Sequence, residues 1–116
     1  MITLQQITEA LHLEVLSSGW LLTRTVAGGY AADLLSCAMH RAKKDFLWVT
    51  LQSHMNVVAV ASLLGLSAVI VTEGTRPDPE MVRRAEDEGV VLLGTSQTTF
   101  AVVSRLASLG IEDLSE

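Results

Sequence analysis

Two periodicities alternate along the chain. Thr3-Leu4-Gln5-Gln6 reads as a capping box, with Thr at the N-cap and Gln three residues on. Leu4, Ile7 and Leu11 then share one face, which predicts a short amphipathic helix. Leu13-Glu14-Val15-Leu16 predicts a brief strand closed by Ser17-Ser18-Gly19, and a second short strand is expected over residues 20–23. The paired glycine Gly28-Gly29 reads as a turn, since glycine tolerates positive φ and the close approach of another group. From Tyr30 the spacing becomes helical through Leu34, Leu35, Ala38, Met39 and Ala42, up to the charged Lys43-Lys44-Asp45.

Phe46-Leu47-Trp48-Val49-Thr50 is a continuous apolar run of strand length, as in parallel strands covered on both faces. A helix is expected from about His54 to Leu64, with Gly65 as its C′ residue, and Ala68-Val69-Ile70-Val71 is the next strand. Asp78-Pro79-Glu80 starts another helix, with Asp at the N-cap and Pro at N1, and that helix runs to Glu88 before Gly89. Val90-Val91-Leu92-Leu93 is a further strand, after which Thr95 or Ser96 is expected to cap a last helix ending at Gly110. Strands alternating with ten-residue helices predict an α/β fold: a small, mostly parallel sheet with helices on both faces and right-handed crossovers. One domain is expected over residues 1–111, with residues 112–116 a frayed tail.

Composition narrows the functional classes. In 116 residues, 49% are apolar and few are aromatic, so one aliphatic core is expected. The positive mean hydropathy of +0.40 points to apolar surface covered by a partner subunit. A net charge of −5, with basic residues scattered, argues against nucleic acid. The single cysteine, Cys37, excludes an internal disulfide and fits a reducing cytoplasm; its helical neighbours Leu34, His40 and Arg41 make it a small half-buried hydrophobe. The start lacks a basic n-region, and the uninterrupted apolar piece at residues 57–72 falls short of the roughly 20 residues that span a bilayer. The chain is therefore expected to be cytoplasmic, with no membrane partner.

In parallel sheets ligands bind beyond the carboxyl ends of the strands. Polar residues gather there: Thr50 to His54, Thr72 to Arg76, and Gly94 to Gln97. The candidate ligand-binding set is Arg24, Gly28, Gly29, Gln52, His54, Thr72, Glu73, Thr95 and Ser96, which together offer hydroxyls, helix N–H groups and one guanidinium to an anion. Polar strand ends also arise simply because strands end and helices need caps. His54 with Glu73 could do acid–base work, but no nucleophile accompanies them, and no catalytic residue is assigned. His12, His40 and His54 lie on separate elements, so no metal site or cofactor is expected. No glycine is followed by lysine, so no P-loop of the G-x-x-x-x-G-K-[ST] type is present and no autonomous kinase activity is expected.

Arg24-Thr25-Val26-Ala27-Gly28-Gly29-Tyr30, followed by Asp33-Leu34-Leu35-Ser36, resembles the DRTGG domain family. The stretches at residues 49–61 and 68–74 extend the resemblance to nearly the whole chain, from about Thr3 to Ile111. Thr23 stands where the family signature has Asp, and Ala27 where it has Thr. The resemblance implies a fold like the N-terminal domain of HPr kinase/phosphorylase, a module also found in phosphotransacetylases and between CBS domains in regulated pyrophosphatases. In such proteins the kinase chemistry belongs to a separate P-loop domain. The resemblance thus implies a stand-alone, non-catalytic regulatory module, homodimeric, that senses a small anionic or nucleotide-like ligand. A small enzyme using His54 and Glu73, and a pure interaction subunit docking on a metabolic enzyme, are the alternatives.

Overall fold

A sheet whose strands are apolar on both faces needs a layer of helix on each side. The computed structural model, which describes residues 1–113, supplies both layers. In chain order the elements are α1 (Leu4–Leu11), β1 (Glu14–Ser17), a 3₁₀ turn (Gly19–Leu21), β2 (Gly28–Ala31), α2 (Leu35–Arg41) and β3 (Phe46–Thr50). They continue with α3 (Asn56–Leu64), β4 (Ala68–Val71), α4 (Pro79–Glu88), β5 (Leu92–Gly94) and α5 (Thr99–Ser108). The five-stranded sheet has the order β1-β5-β4-β3-β2, with β2 to β5 parallel and β1 antiparallel at the far edge.

Side-chain alternation along each strand splits the interior into two cores. Phe46, Trp48, Val69, Val71 and Leu92 face α2, α3 and α4, meeting Ala38, Val57, Val58, Ala61, Met81 and Ala85. Leu47, Val49, Ala68, Ile70 and Leu93 face α1 and α5, meeting Leu4, Ile7, Leu11, Val102 and Leu106. The consecutive steps β2 to β5 all move the same way across the sheet, and right-handed crossovers therefore stack α2, α3 and α4 on one face. The Thr3–Gln6 capping box forms in both directions, and Gly65 and Gly89 end α3 and α4 in the left-handed conformation.

Several local expectations are corrected. Gly28-Gly29 is no turn: both residues lie in β2, paired with Phe46 and Leu47, and neither has positive φ. Glycine is required there by crowding. A Cβ on Gly28 would stand 2.8 Å from the Glu112 carbonyl oxygen and 2.8 Å from the Phe46 ring. Tyr30 belongs to the same strand, and α2 begins only at Leu35. Residues 20–23 do not form a strand, because no neighbouring strand is there to pair; Leu21 N–H instead donates to Ser18 C=O, and Arg24 N–H to Leu21 C=O. α3 starts at Asn56 rather than His54, and β5 is shifted to Leu92–Gly94. Glu112, expected at the start of a frayed tail, has its carbonyl held by the Gly29 N–H at 3.0 Å, so Glu112 is placed against the free edge of β2. Residues 114–116 of that tail lie outside the described residues.

Candidate functional site

The carboxyl ends of β2 to β5 and the amino end of antiparallel β1 form one rim of the sheet, since Glu14 pairs with Gly94. Over β2 and β3 this rim is closed by its own hydrogen bonds. Asp33 Oδ1 accepts from the Thr50 hydroxyl and from Leu51 N–H, both at 2.9 Å, while the Gln52 side-chain amide donates to Asp33 C=O at 2.7 Å. These bonds staple the loop after β2 to the loop after β3. Beneath them, Trp48 is fully buried and its indole N–H donates to Ala32 C=O. The place of Asp33 in the rim depends on β2 being a strand, so no spacing in the sequence signals it.

In the middle of the rim the polar groups serve α5. The buried Thr72 hydroxyl is 2.6 Å from that of Thr99, and Glu73 Oε2 accepts the Thr99 N–H at 2.8 Å. A carboxylate at a helix N-terminus satisfies an orphan donor and opposes the positive end of the helix dipole. Thr98, rather than Thr95 or Ser96, is the N-cap residue of α5: its hydroxyl accepts from Ala101 N–H. His54 Nδ1 accepts from Asn56 N–H at 3.2 Å, so the imidazole caps the start of α3. His54 and Glu73 are thus each committed to their own helix and share no hydrogen bond.

Arg24 lies at the opposite rim. Its guanidinium donates to Gly89 C=O at 3.0 Å and Ser67 C=O at 3.4 Å, tying together the turns that lead into β5 and β4. Gly28 and Gly29 sit at the free edge of the sheet, under Glu112. Of the nine candidates, Thr95 and Ser96 line open space at the carboxyl rim, in a cleft of about 520 Å³ between residues 74–77, residues 94–97 and the start of β1. His12, Glu14, Thr75, Arg76 and Gln97 also line it. Sequence spacing could not bring His12 and Glu14 there, because their position depends on β1 running antiparallel beside β5. Arg76 makes an exposed ion pair with Glu14 at 3.4 Å across the cleft. Gln97 donates its amide to Leu11 C=O and the Thr95 hydroxyl, and its buried Oε1 has no partner among the described residues.

Elsewhere, an apolar groove of about 410 Å³ runs between β2 and α5, lined by Gly29, Ala31, Val49, Val103 and Ala107. Phe100, on α5, is 85% exposed. Among the described residues no His, Cys, Asp and Glu side chains gather as a metal site, and no helix is long and apolar enough to cross a membrane.

The architecture is that of a small α/β module with a polar rim committed mainly to its own caps. The chain belongs to the DRTGG domain family, whose model matches residues 6–109. The fold is similar to a solved structure of the CBS and DRTGG domains of the regulatory region of Clostridium perfringens pyrophosphatase, complexed with the activator diadenosine tetraphosphate. The TM-score is 0.74 at 16% identity, covering 90% of this chain and 45% of that one, so this chain spans less than half of the relative's length. The comparison with curated proteins returned no match.

Proposed function

We propose that this chain is a non-catalytic regulatory module that forms a homodimer and senses a small anionic or nucleotide-like ligand at the carboxyl rim of its sheet. The observation that carries the non-catalytic half is the fate of the two acid–base candidates. His54 caps α3 and Glu73 caps α5, and neither is hydrogen-bonded to the other. The regulatory half rests on family membership and on the likeness to a regulatory region. Support for self-association comes from Phe100 and Val103, exposed on α5 beside the apolar groove. Apolar surface of this kind on a small domain marks an interaction site. The same surface would serve the alternative of docking on a metabolic enzyme.

The test combines light scattering with melting curves in nucleotides and phosphorylated metabolites. A dimer mass at micromolar concentration is expected. A ligand that binds only the folded state raises Tm, by mass action, once its concentration exceeds its Kd. A clean monomer sinks the dimer, and no Tm rise at millimolar ligand sinks the sensing role. Turnover lost on His54→Ala would restore the enzyme reading.

A further inference from the structure

We infer that the ligand site is the cleft between the loop after β4 and the loop after β5, and that it takes a small metabolite carrying one phosphoryl group and neighbouring hydroxyls. This site rests on the sensing role proposed for the module and gives that role a place and a chemistry. Elimination leads to the cleft first. Along the rim, Thr50, Asp33 and Gln52 satisfy one another, and Thr72 and Glu73 are bound to Thr99. In the cleft, by contrast, the hydroxyls of Thr75 and Ser96 have no hydrogen bond to the described residues, and Ser96 is exposed. Gly74, at φ +71, has nothing within 4 Å of where a Cβ would stand, which leaves the backbone open there.

Charge leads to the same place. Arg76 is the guanidinium of this cleft, and its link to Glu14 is weak: the pair is 3.4 Å apart, with side chains 78% and 61% exposed. Exposed pairs of this kind contribute little, so an incoming phosphoryl group can take Arg76 from Glu14 and form stronger, charge-assisted bonds. One guanidinium beside one carboxylate matches a single phosphoryl group, and a polyphosphate would meet the repulsion of Glu14 and of a chain with net charge −5. The Thr75 and Ser96 hydroxyls and the exposed Glu14 carboxylate, once displaced from Arg76, are acceptors, and ligand hydroxyls are the donors that fit them. A cleft of about 520 Å³ has the size of an ordinary metabolite site.

The experiment is calorimetric titration of the full chain with AMP, ribose 5-phosphate, inorganic phosphate and diadenosine tetraphosphate. AMP or ribose 5-phosphate should bind more tightly than inorganic phosphate, which lacks the hydroxyls, and more tightly than the tetraphosphate. Arg76→Gln should weaken binding about tenfold or more, the effect of losing a charge-assisted hydrogen bond. Glu14→Gln should tighten it by up to about fivefold, since an exposed competitor is removed. Arg83→Gln, which removes the same charge from the exposed face of α4, should leave affinity unchanged. Circular dichroism of each variant checks that it folds. Binding that ignores Arg76→Gln and Glu14→Gln overturns the assignment of the cleft but keeps the sensing role. Tighter binding of the tetraphosphate than of AMP overturns the single-phosphoryl specificity, and absence of binding by all four ligands overturns the site together with the sensing role.

Discussion

Gly28 shows how a residue read for its torsional freedom is fixed by space instead. Its backbone is ordinary strand, yet the Phe46 ring and the Glu112 carbonyl leave no room for a methyl group. Gly28→Ala should cost about 2 kcal/mol through overpacking, seen as a lower urea midpoint at unchanged m-value. Arg24 makes a similar point for charge. A guanidinium near a glycine pair suggests an anion site, but two backbone carbonyls already occupy it. Arg24→Ala should destabilise by about 1–2 kcal/mol in the same assay, by leaving those acceptors without their donor. Ligand affinity should not change once the variant is folded.

At the scale of elements, the edge strand β1 depends on one hydroxyl. The register between β1 and β5 is irregular between Val15 and Ser17. There the buried Ser17 side chain donates to Val90 C=O at 2.8 Å and accepts from Leu92 N–H at 3.0 Å. It completes the ladder that the irregularity interrupts, and Ser18 adds a buried bond to Ala85 C=O on α4. Ser17→Ala leaves a buried donor and a buried acceptor unmet, which should cost about 2–3 kcal/mol. Amide hydrogen exchange should show Leu92 losing protection by a larger factor than β3, a fully buried interior strand that does not pair with β5. The helices behave more simply: where capping chemistry is explicit in the sequence, as at Thr3, Pro79, Gly65 and Gly89, the element ends near the expected position.

For the whole molecule, the balance of exposed apolar surface matters most. Phe100 projects from α5 next to the groove over Gly29 and Ala31, so one face carries both a protruding ring and an apolar recess. A two-fold interface requires such self-complementarity. Phe100→Asp should convert the expected dimer to monomer by light scattering with little change in far-ultraviolet dichroism, because the ring is outside both cores.

By itself, the sequence determined the fold class, the family, and most helices and central strands. Continuous apolar runs, capping residues and helix-ending glycines are local signals, and their physics acts within a few residues. Gly28-Gly29-Tyr30 escapes such signals because helical and extended spacing are indistinguishable over so short a stretch; only pairing with Phe46, Leu47 and Trp48 makes it a strand. Tertiary structure alone assembled the cleft proposed as the site. Glu14 meets Arg76, and Gln97 meets Leu11, across long spans of chain that only an antiparallel β1 brings together. The same folding placed Arg24 at the opposite rim and gave His54 and Glu73 different helices to cap. Each found nearer backbone partners, since an unmet helix N–H or turn carbonyl takes the first polar side chain within reach.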